Sequence, residues 1–372
     1  MAAFTLVELA IPASLDAPGA DDFRDTVDVR NAVRTHDAGT ADLEFTAEEL
    51  LPGWLDPYEP KRLFVARVDG RIVARGIIER KADDAATAWL LAEVLPEYRG
   101  RGIGRALAVE LERAAGAEGR SKAIVYAPSP APVDDGAAAS GGRGSIDVRV
   151  DAPTGFGSVP AANPEVRLLL DLGYSLEQVA RGSRLQVPVD DADLVASIAR
   201  ARERADADEY RVHLWADRTP RRWREDLVHL LTRMSTDAPS AGLEEPEDRW
   251  TVERLLDDER SHAADPRMTL TAAVEHVPSG RLVGFTELNA PAEVERPVSQ
   301  EDTLVLREHR GRRLGLLLKA ENLRHLQRAK PGHASVTTYN AEENRHMLEV
   351  NEALGFRPFL YEGAWRKNLR PE

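Results

Sequence analysis

At 372 residues the chain exceeds one typical hydrophobic core, so two domains are expected. Hydrophobic content of 42 %, charged content of 30 % and a net charge of −14 fit a globular chain and argue against general nucleic-acid binding, which needs a basic face. No apolar run is long enough to span a bilayer and the chain holds no cysteine, which excludes disulfides and thiolate metal sites. Met1 to Leu9 lacks a signal-peptide pattern, so no membrane association and a cytoplasmic residence are the expectations.

Phe4 to Leu9 reads as a first strand, and Asp21 to Val33 and Ala47 to Leu55 as helices. Thr46 and Glu49 form a capping-box signature at the start of the second. Arg62 to Val68 and Arg71 to Ile78 are strands joined by Asp69-Gly70, a strong hairpin signal. Thr87 to Val94 is the next strand, Gly102 to Ala115 the next helix and Ala123 to Tyr126 a short strand. Pro128 to Asn163 is rich in Pro, Gly, Ala and Ser, with Gly-Gly-Arg-Gly at 141–144 and a short strand at Ile146 to Val150. Glu165 to Leu172 predicts a helix closed by Gly173, and Tyr174 to Val187 a final hairpin turning at Arg181-Gly182-Ser183. Val187 to Asp208 reads as a linker or helix.

The same order then repeats. Tyr210 to Trp215 is a strand, Thr219 to Met234 and Arg249 to His262 are helices, and Leu270 to His276 and Arg281 to Glu287 form a hairpin. Thr303 to Leu306 leads into a helix at Leu314 to Ala329, followed by a strand at Ala334 to Thr338, a helix at Ala341 to Leu354 and final strands at Phe356 to Trp365.

In both halves the fourth strand runs into a loop rich in Gly and Arg that opens a helix. Such a loop aims several backbone N–H groups, and the positive helix end, at one point, which suits a phosphate or pyrophosphate. Arg99, Arg101 and Arg105, then Arg307, Arg310, Arg312 and Arg313, reverse the acidic charge locally. Neither loop has the Gly-Lys-Ser/Thr of a P-loop, and Gly100, Gly102 and Gly104 do not give the Gly-x-Gly-x-x-Gly of a dinucleotide site.

Arg99-x-x-Gly102-x-Gly104, preceded by Val94-x-Pro96, resembles the coenzyme A pyrophosphate loop of GNAT-type N-acetyltransferases. The element order of residues 4 to 187 and 209 to 367 is similar to that fold, and the tandem plan is similar to that of mycothiol synthases. The second loop, Arg310-x-x-Arg313-x-Gly315, departs at Arg313, where the family usually has Gly. The resemblance implies an α/β (α+β) fold of two tandem GNAT-type domains, each a mixed, mostly antiparallel sheet with a splayed central strand flanked by helices. Residues 1–187 would form the first, with an insertion at 128–163, residues 188–208 a linker or helix, and residues 209–372 the second.

It further implies acetyl-CoA, or another acyl-CoA, as cosubstrate. Val94, Arg99, Arg101, Gly102, Ile103, Gly104 and Arg105 would hold it in the first half, and Leu304, Val305, Arg310, Gly311, Arg312, Arg313, Leu314, Gly315 and Asn344 in the second. The reaction implied is direct attack of a small-molecule primary amine on the thioester, with no covalent enzyme intermediate. The alternative from another class is a CoA-binding sensor or scaffold without turnover.

The family carries an Asn at the start of its last long helix and a thiolate-protonating Tyr seven residues on. Asn344 and Asn351 fall there in the second half, Ala162 and Leu169 in the first, so the second half is the expected catalyst. Asn344 also reads as a helix cap, with Asn340 competing for that role, and Tyr339 and Tyr361 are alternative acids. Glu93, Glu287 and Asp302 are candidate bases, because a carboxylate in the cleft would be raised by burial. Asp237 sits where the family grips its acceptor, though Asp before Ala-Pro is also an ordinary turn former. The nine histidines show no paired helical spacing, so no metal is expected; a monomer or homodimer completes the reading.

Overall fold

The computed structural model describes residues 4–130, 148–205, 208–263 and 266–369. The Gly-Gly-Arg-Gly run and most of the expected insertion lie outside the described residues. In the first half, strands β1 (Thr5–Leu9), β2 (Lys61–Val68), β3 (Arg71–Glu79), β4 (Thr87–Val94) and β5 (Lys122–Pro130) accompany helices α1 (Ala20–Ala38), α2 (Ala47–Trp54), α3 (Ile103–Ala117) and α4 (Pro164–Asp171). A two-stranded ribbon, β6 (Arg149–Asp151) with β7 (Ser158–Pro160), stands apart. After β8 (Ser175–Gln186) and α5 (Asp191–Ala205), the order recurs. Strands β9 (Tyr210–Ala216), β10 (Met268–His276), β11 (Arg281–Ala290), β12 (Val298–Val305), β13 (Ser335–Ala341) and β14 (Arg357–Asn368) accompany α6 (Arg224–Asp237), α7 (Val252–His262), α8 (Leu314–Ala329) and α9 (Arg345–Leu354).

Local chemistry explains much of this. Asp69 and Gly70 both have positive φ, 50° and 83°, which is the geometry a two-residue hairpin between β2 and β3 requires. The capping box at α2 is complete: Glu49 N–H donates to Thr46 Oγ1 at 3.3 Å, and Thr46 N–H to Glu49 Oε2 at 2.8 Å.

The hairpin expected at Tyr174 to Val187 is absent, and the final strands expected at Phe356 to Trp365 are one. Residues 175–186 form one continuous strand, and residues 357–368 form another. They meet antiparallel in the middle of a twelve-stranded sheet of order β1-β2-β3-β4-β5-β14-β8-β13-β12-β11-β10-β9. Each half therefore gives its last strand to the other: β14 pairs with β5, and β8 with β13. Gly182 misleads as a turn signal. A Cβ there would lie 2.9 Å from Tyr339 Cε1 and 3.2 Å from Leu360 Cβ, so the glycine serves close cross-strand approach.

The cores follow the exchange. Trp365 and Leu369 from the C-terminal segment are buried in the first core, with Leu107, Leu111 and Val166. Leu185 of β8 is buried in the second, with Leu317, Leu318 and Phe356. Polar contacts tie the halves together elsewhere. The Glu49 side chain, fully buried, takes ion pairs from Arg267 and Arg296 at 3.1 and 2.6 Å, and Tyr58 Oη donates to Asp257 Oδ2 at 2.9 Å. Among the described residues, no helix is long and apolar enough to cross a membrane.

Candidate functional site

β4 and β5 run parallel and pair only at Thr87–Trp89 with Lys122–Ile124. Beyond that point they separate, and a cavity of about 350 Å3 opens between them. Apolar side chains line it: Leu90, Ala92 and Val94 from β4, Ile103 and Ala108 from α3, Ala127 from β5, Leu168 and Leu169 from α4. Leu95 N–H bonds back to Val73 of β3, and pairing alternates along an antiparallel ladder. Leu91 and Glu93 therefore turn their backbone groups toward β3, whereas Ala92 and Val94 point theirs into the cavity.

The cavity ends at the loop Arg99–Arg105. Gly100 and Gly102 hold φ of 73° and 85°, and Gly102 is the residue before α3, so the first-turn amides of the helix face the opening. Arg99 is internal: its Nε donates to Val94 O at 3.0 Å and both Nη atoms bind Asp37 at 2.8 Å. Arg101 rests on the Tyr98 ring and donates to Glu97 O, so its charge stays available to an anion. Arg105 pairs with Asp171 at 2.8 Å.

The second loop repeats this architecture. Arg310 Nε donates to Val305 O at 2.9 Å and Nη2 to Asp237 Oδ2 at 2.8 Å. Asp237, whose side chain is 1 % exposed and also pairs with Arg233, is thus the counterpart of Asp37, a support for the loop arginine with no face open to an acceptor. Gly311 has φ 79°, and Arg313 takes the left-handed conformation of Gly102, with φ 57°. A side chain there costs on the order of 1 kcal/mol. Arg313→Gly should therefore stabilise the chain by about 1 kcal/mol, read as a higher urea midpoint at constant slope.

The two clefts differ in what fills them. Lys319 of α8 occupies the place of Ala108, each nine residues after its loop arginine, and Asn351 of α9 that of Leu169, each four residues before the glycine that closes its helix. Asn340 occupies that of Ala127, each standing four residues beyond a strand residue buried in the core of its half, Val336 and Ala123. In the first half these three positions line the cavity. In the second they form a buried chain: Lys319 Nζ donates to Asn351 Oδ1 and Asn351 Nδ2 to Asn340 Oδ1, both at 2.7 Å. Lys319 and Asn351 are each 1 % exposed, and burial lowers the Lys319 amine to about 7. Asn344 caps α9 through Met347 N–H at 3.4 Å.

Glu93 lies at the edge of the first cavity, accepting from Arg75 Nε at 2.6 Å and Arg34 Nε at 2.8 Å. Burial alone would raise its pKa, but the two guanidinium groups outweigh it and hold the carboxyl at about 2. At neutral pH it is a weak proton acceptor. Because the folded value lies below the ordinary glutamate value of 4.5, Glu93 stabilises the fold above that pH and loses the contribution as pH falls toward 2. Glu93→Gln should cost about 3 kcal/mol at pH 7 and flatten the decline in stability between pH 5 and pH 2, measured by urea denaturation across that range.

Tyr361 packs against the first core, opposite Ser129 of β5, because β14 belongs to that half of the sheet. Glu287 accepts from Thr271 Oγ1 at 3.0 Å and is raised to about 8, by burial first and then by Asp302. It lines a separate cavity of about 550 Å3 beside α7, with Glu301, Asp258 and Glu259. Asp302 is raised by its own burial and by Asp248. No group of three His, Cys, Asp or Glu suited to a metal occurs among the described residues. Sequence reasoning missed Asp37, Arg34, Arg75, Glu362 and Lys319; comparing the repeats would have found Asp37, which like Asp237 closes the first long helix of its half.

Residues 59–133, which contain β4, the loop and α3, match the family model described as an acetyltransferase (GNAT) domain. Over 100 % of both chains the structure is similar to a tandem GNAT protein from the clavulanic acid biosynthesis pathway, solved without acetyl-CoA, with 21 % identity and a TM-score of 0.72. The chain has the tandem GNAT fold. A GCN5-related N-acetyltransferase from Sphaerobacter thermophilus is also similar, with 16 % identity, 99 % of this chain and 96 % of that one covered, and a TM-score of 0.60. No curated protein matches the sequence. In GNAT terms, the first half has an open splay above its loop, while the second holds a polar plug in the corresponding place.

Proposed function

We propose that this tandem GNAT protein transfers an acyl group from acetyl-CoA, or another acyl-CoA, bound in its first half, to an amine of a small molecule. The observation that carries this reading is the apolar cavity between β4 and β5, open at one end onto the amides of the glycine loop. This reading assigns catalysis to the half opposite the one that Asn344 and Asn351 suggested, both of which are engaged within the protein. The residues present fit the group. The loop has two left-handed glycines, Arg101 adds a positive charge without a carboxylate partner among the described residues, and the cavity walls suit a pantetheine chain.

Acyl-CoA bound there supplies an activated acyl carbonyl. The chain's own contribution starts with the first-turn amides of α3, which hold the pyrophosphate. Ala92 N–H, aimed into the splay, donates to the carbonyl oxygen as negative charge develops on it. The apolar lining excludes water and favours a neutral amine as nucleophile. As the new C–N bond forms, the C–S bond breaks; the amine proton passes to solvent or a carboxylate at the mouth, and the thiolate takes one from solvent.

Leu169, where the family carries its acid, favours a second reading: a CoA-binding sensor without turnover. One experiment separates them. Thiol release from acetyl-CoA in the presence of an amine panel marks the enzyme, CoA binding without release marks the sensor, and no binding defeats both.

A further inference from the structure

The α1-facing mouth of the first cavity holds an imbalance of charge. Arg30 and Arg34 stand one helical turn apart on α1, and Arg75 reaches the same place from β3. Arg75 and Arg34 share Glu93, and Arg34 Nη1 also lies 3.5 Å from Glu362 of β14. Arg30 has no carboxylate partner among the described residues. Its Nη1 donates to Leu43 O at 2.6 Å and Asn31 Oδ1 at 3.0 Å, and its guanidinium lies over the Phe45 ring. A guanidinium withdrawn from water without a counter-ion is costly unless a ligand supplies one. In keeping with this, burial first, and then Arg75 and Arg34, lower its pKa to about 9.

The opposite wall comes from the second half. Tyr339 of β13 is 38 % exposed, lies beside the Phe359 ring, and its hydroxyl makes no hydrogen bond among the described residues. Its charged neighbours are Glu362, Arg34, Arg30 and Arg184. Arg184 is already committed, paired with Asp42 and stacked on Phe359. Two donors without a carboxylate or hydroxyl partner among the described residues thus lie near one another, the Arg30 guanidinium and the Tyr339 hydroxyl, next to Arg34 and Glu93 of the cavity lining, and Glu362 stands beside them as an acceptor for a cation.

We propose that the acceptor is a small amine that also bears a carboxylate, an amino-acid-like molecule, and that Arg30 of the first half and Tyr339 of the second grip this carboxylate while Glu362 receives the ammonium group. The assignment rests on acyl-CoA occupying the first cavity, because only then does the mouth open toward a reacting carbonyl. It gives the second half a part in the first half's chemistry: the exchanged strands bring Tyr339 and Glu362 to a site whose cosubstrate lies elsewhere.

The test uses the full chain with three pairs of probes: L-phenylalanine and phenethylamine, L-lysine and cadaverine, L-leucine and isoamylamine. Acetyl-CoA affinity is measured separately by calorimetry, so a failure of the underlying reading shows as absent binding. The expected result is that at least one amino acid exceeds its decarboxylated partner tenfold or more in kcat/KM. Arg30→Gln should then reduce that advantage below threefold, chiefly through KM, with acetyl-CoA affinity retained. Arg30→Lys should keep most of the preference, and Tyr339→Phe should raise KM for the amino acid three- to fivefold. Equal use of amines and amino acids, no turnover of any amino acid, or an Arg30→Gln effect confined to kcat would overturn the proposal.

Discussion

Calorimetric titration with acetyl-CoA is expected to give one site per chain, and Gly104→Leu to weaken it at least a hundredfold, about 2.7 kcal/mol. A Cβ at Gly104 would lie 3.5 Å from Val94 Cγ2 and 3.9 Å from Leu168 Cδ2, an ordinary contact, so Gly104→Ala should bind nearly normally. A branched side chain extends from there into the cavity and fills the channel between the loop and β4. The paired substitution, Gly315→Leu, meets nothing within 4 Å at its Cβ and should leave the affinity unchanged, because the second cleft holds the Lys319–Asn351–Asn340 chain. If Gly315→Leu abolished binding and Gly104→Leu did not, the two halves would have to exchange roles.

The second large effect concerns β14. Trp365→Ala should destabilise the protein by about 4 kcal/mol. Trp365 is fully buried, and it is buried in the first core although it belongs to the C-terminal segment. Hydrogen exchange should therefore report the loss in β5, residues 122–130, more than 230 positions earlier in the chain, with a smaller change in β10 and β11. Acetyl-CoA affinity should fall with it, since β5 forms one wall of the cavity. A loss of protection confined to residues 209–369 would be incompatible with the strand exchange.

The sequence makes the local parts of this protein readable. Thr87–Val94 and Leu314–Ala329 coincide with their expected limits because a β-branched or alternating run and a leucine stripe each declare their own period. The glycine loop is readable because only residues tolerating positive φ suit Gly100 and Gly102. The strand exchange is not readable: β8 and β14 alternate as hairpin strands would, and nothing in a strand names a partner two hundred residues away. Gly182 shows the ambiguity most directly, since a glycine needed beside the Tyr339 ring is written as one needed for a turn.

The site divides in the same way. Asp237 is conspicuous in sequence, but its function as the clamp of Arg310 depends on a loop 73 positions further along. Lys319 is easily passed over as a surface lysine. Yet Gly315, Leu318, Asn322 and Leu326 put it on the buried stripe of α8, where its amine meets Asn351 Oδ1 and the Phe356 ring, both from beyond its own helix. Glu93 reads as a base from its place on β4. The opposite outcome follows from Arg75 and Arg34, which approach from β3 and α1.

The reciprocal gift of the last strands also sets the order in which this molecule can be made. During synthesis, β1 to β5 and α1 to α4 emerge first, but the ladder position beside β5 stays vacant until residues 357–368 have left the ribosome. Through that interval the nascent first half carries an open sheet edge along β5 and a core missing Trp365, the combination that invites strand addition by another chain. Closure then depends on contacts of very large sequence separation, which makes it slow. Folding should therefore complete in both halves together, at the moment the final strand docks, and chaperone dependence should be highest just before it.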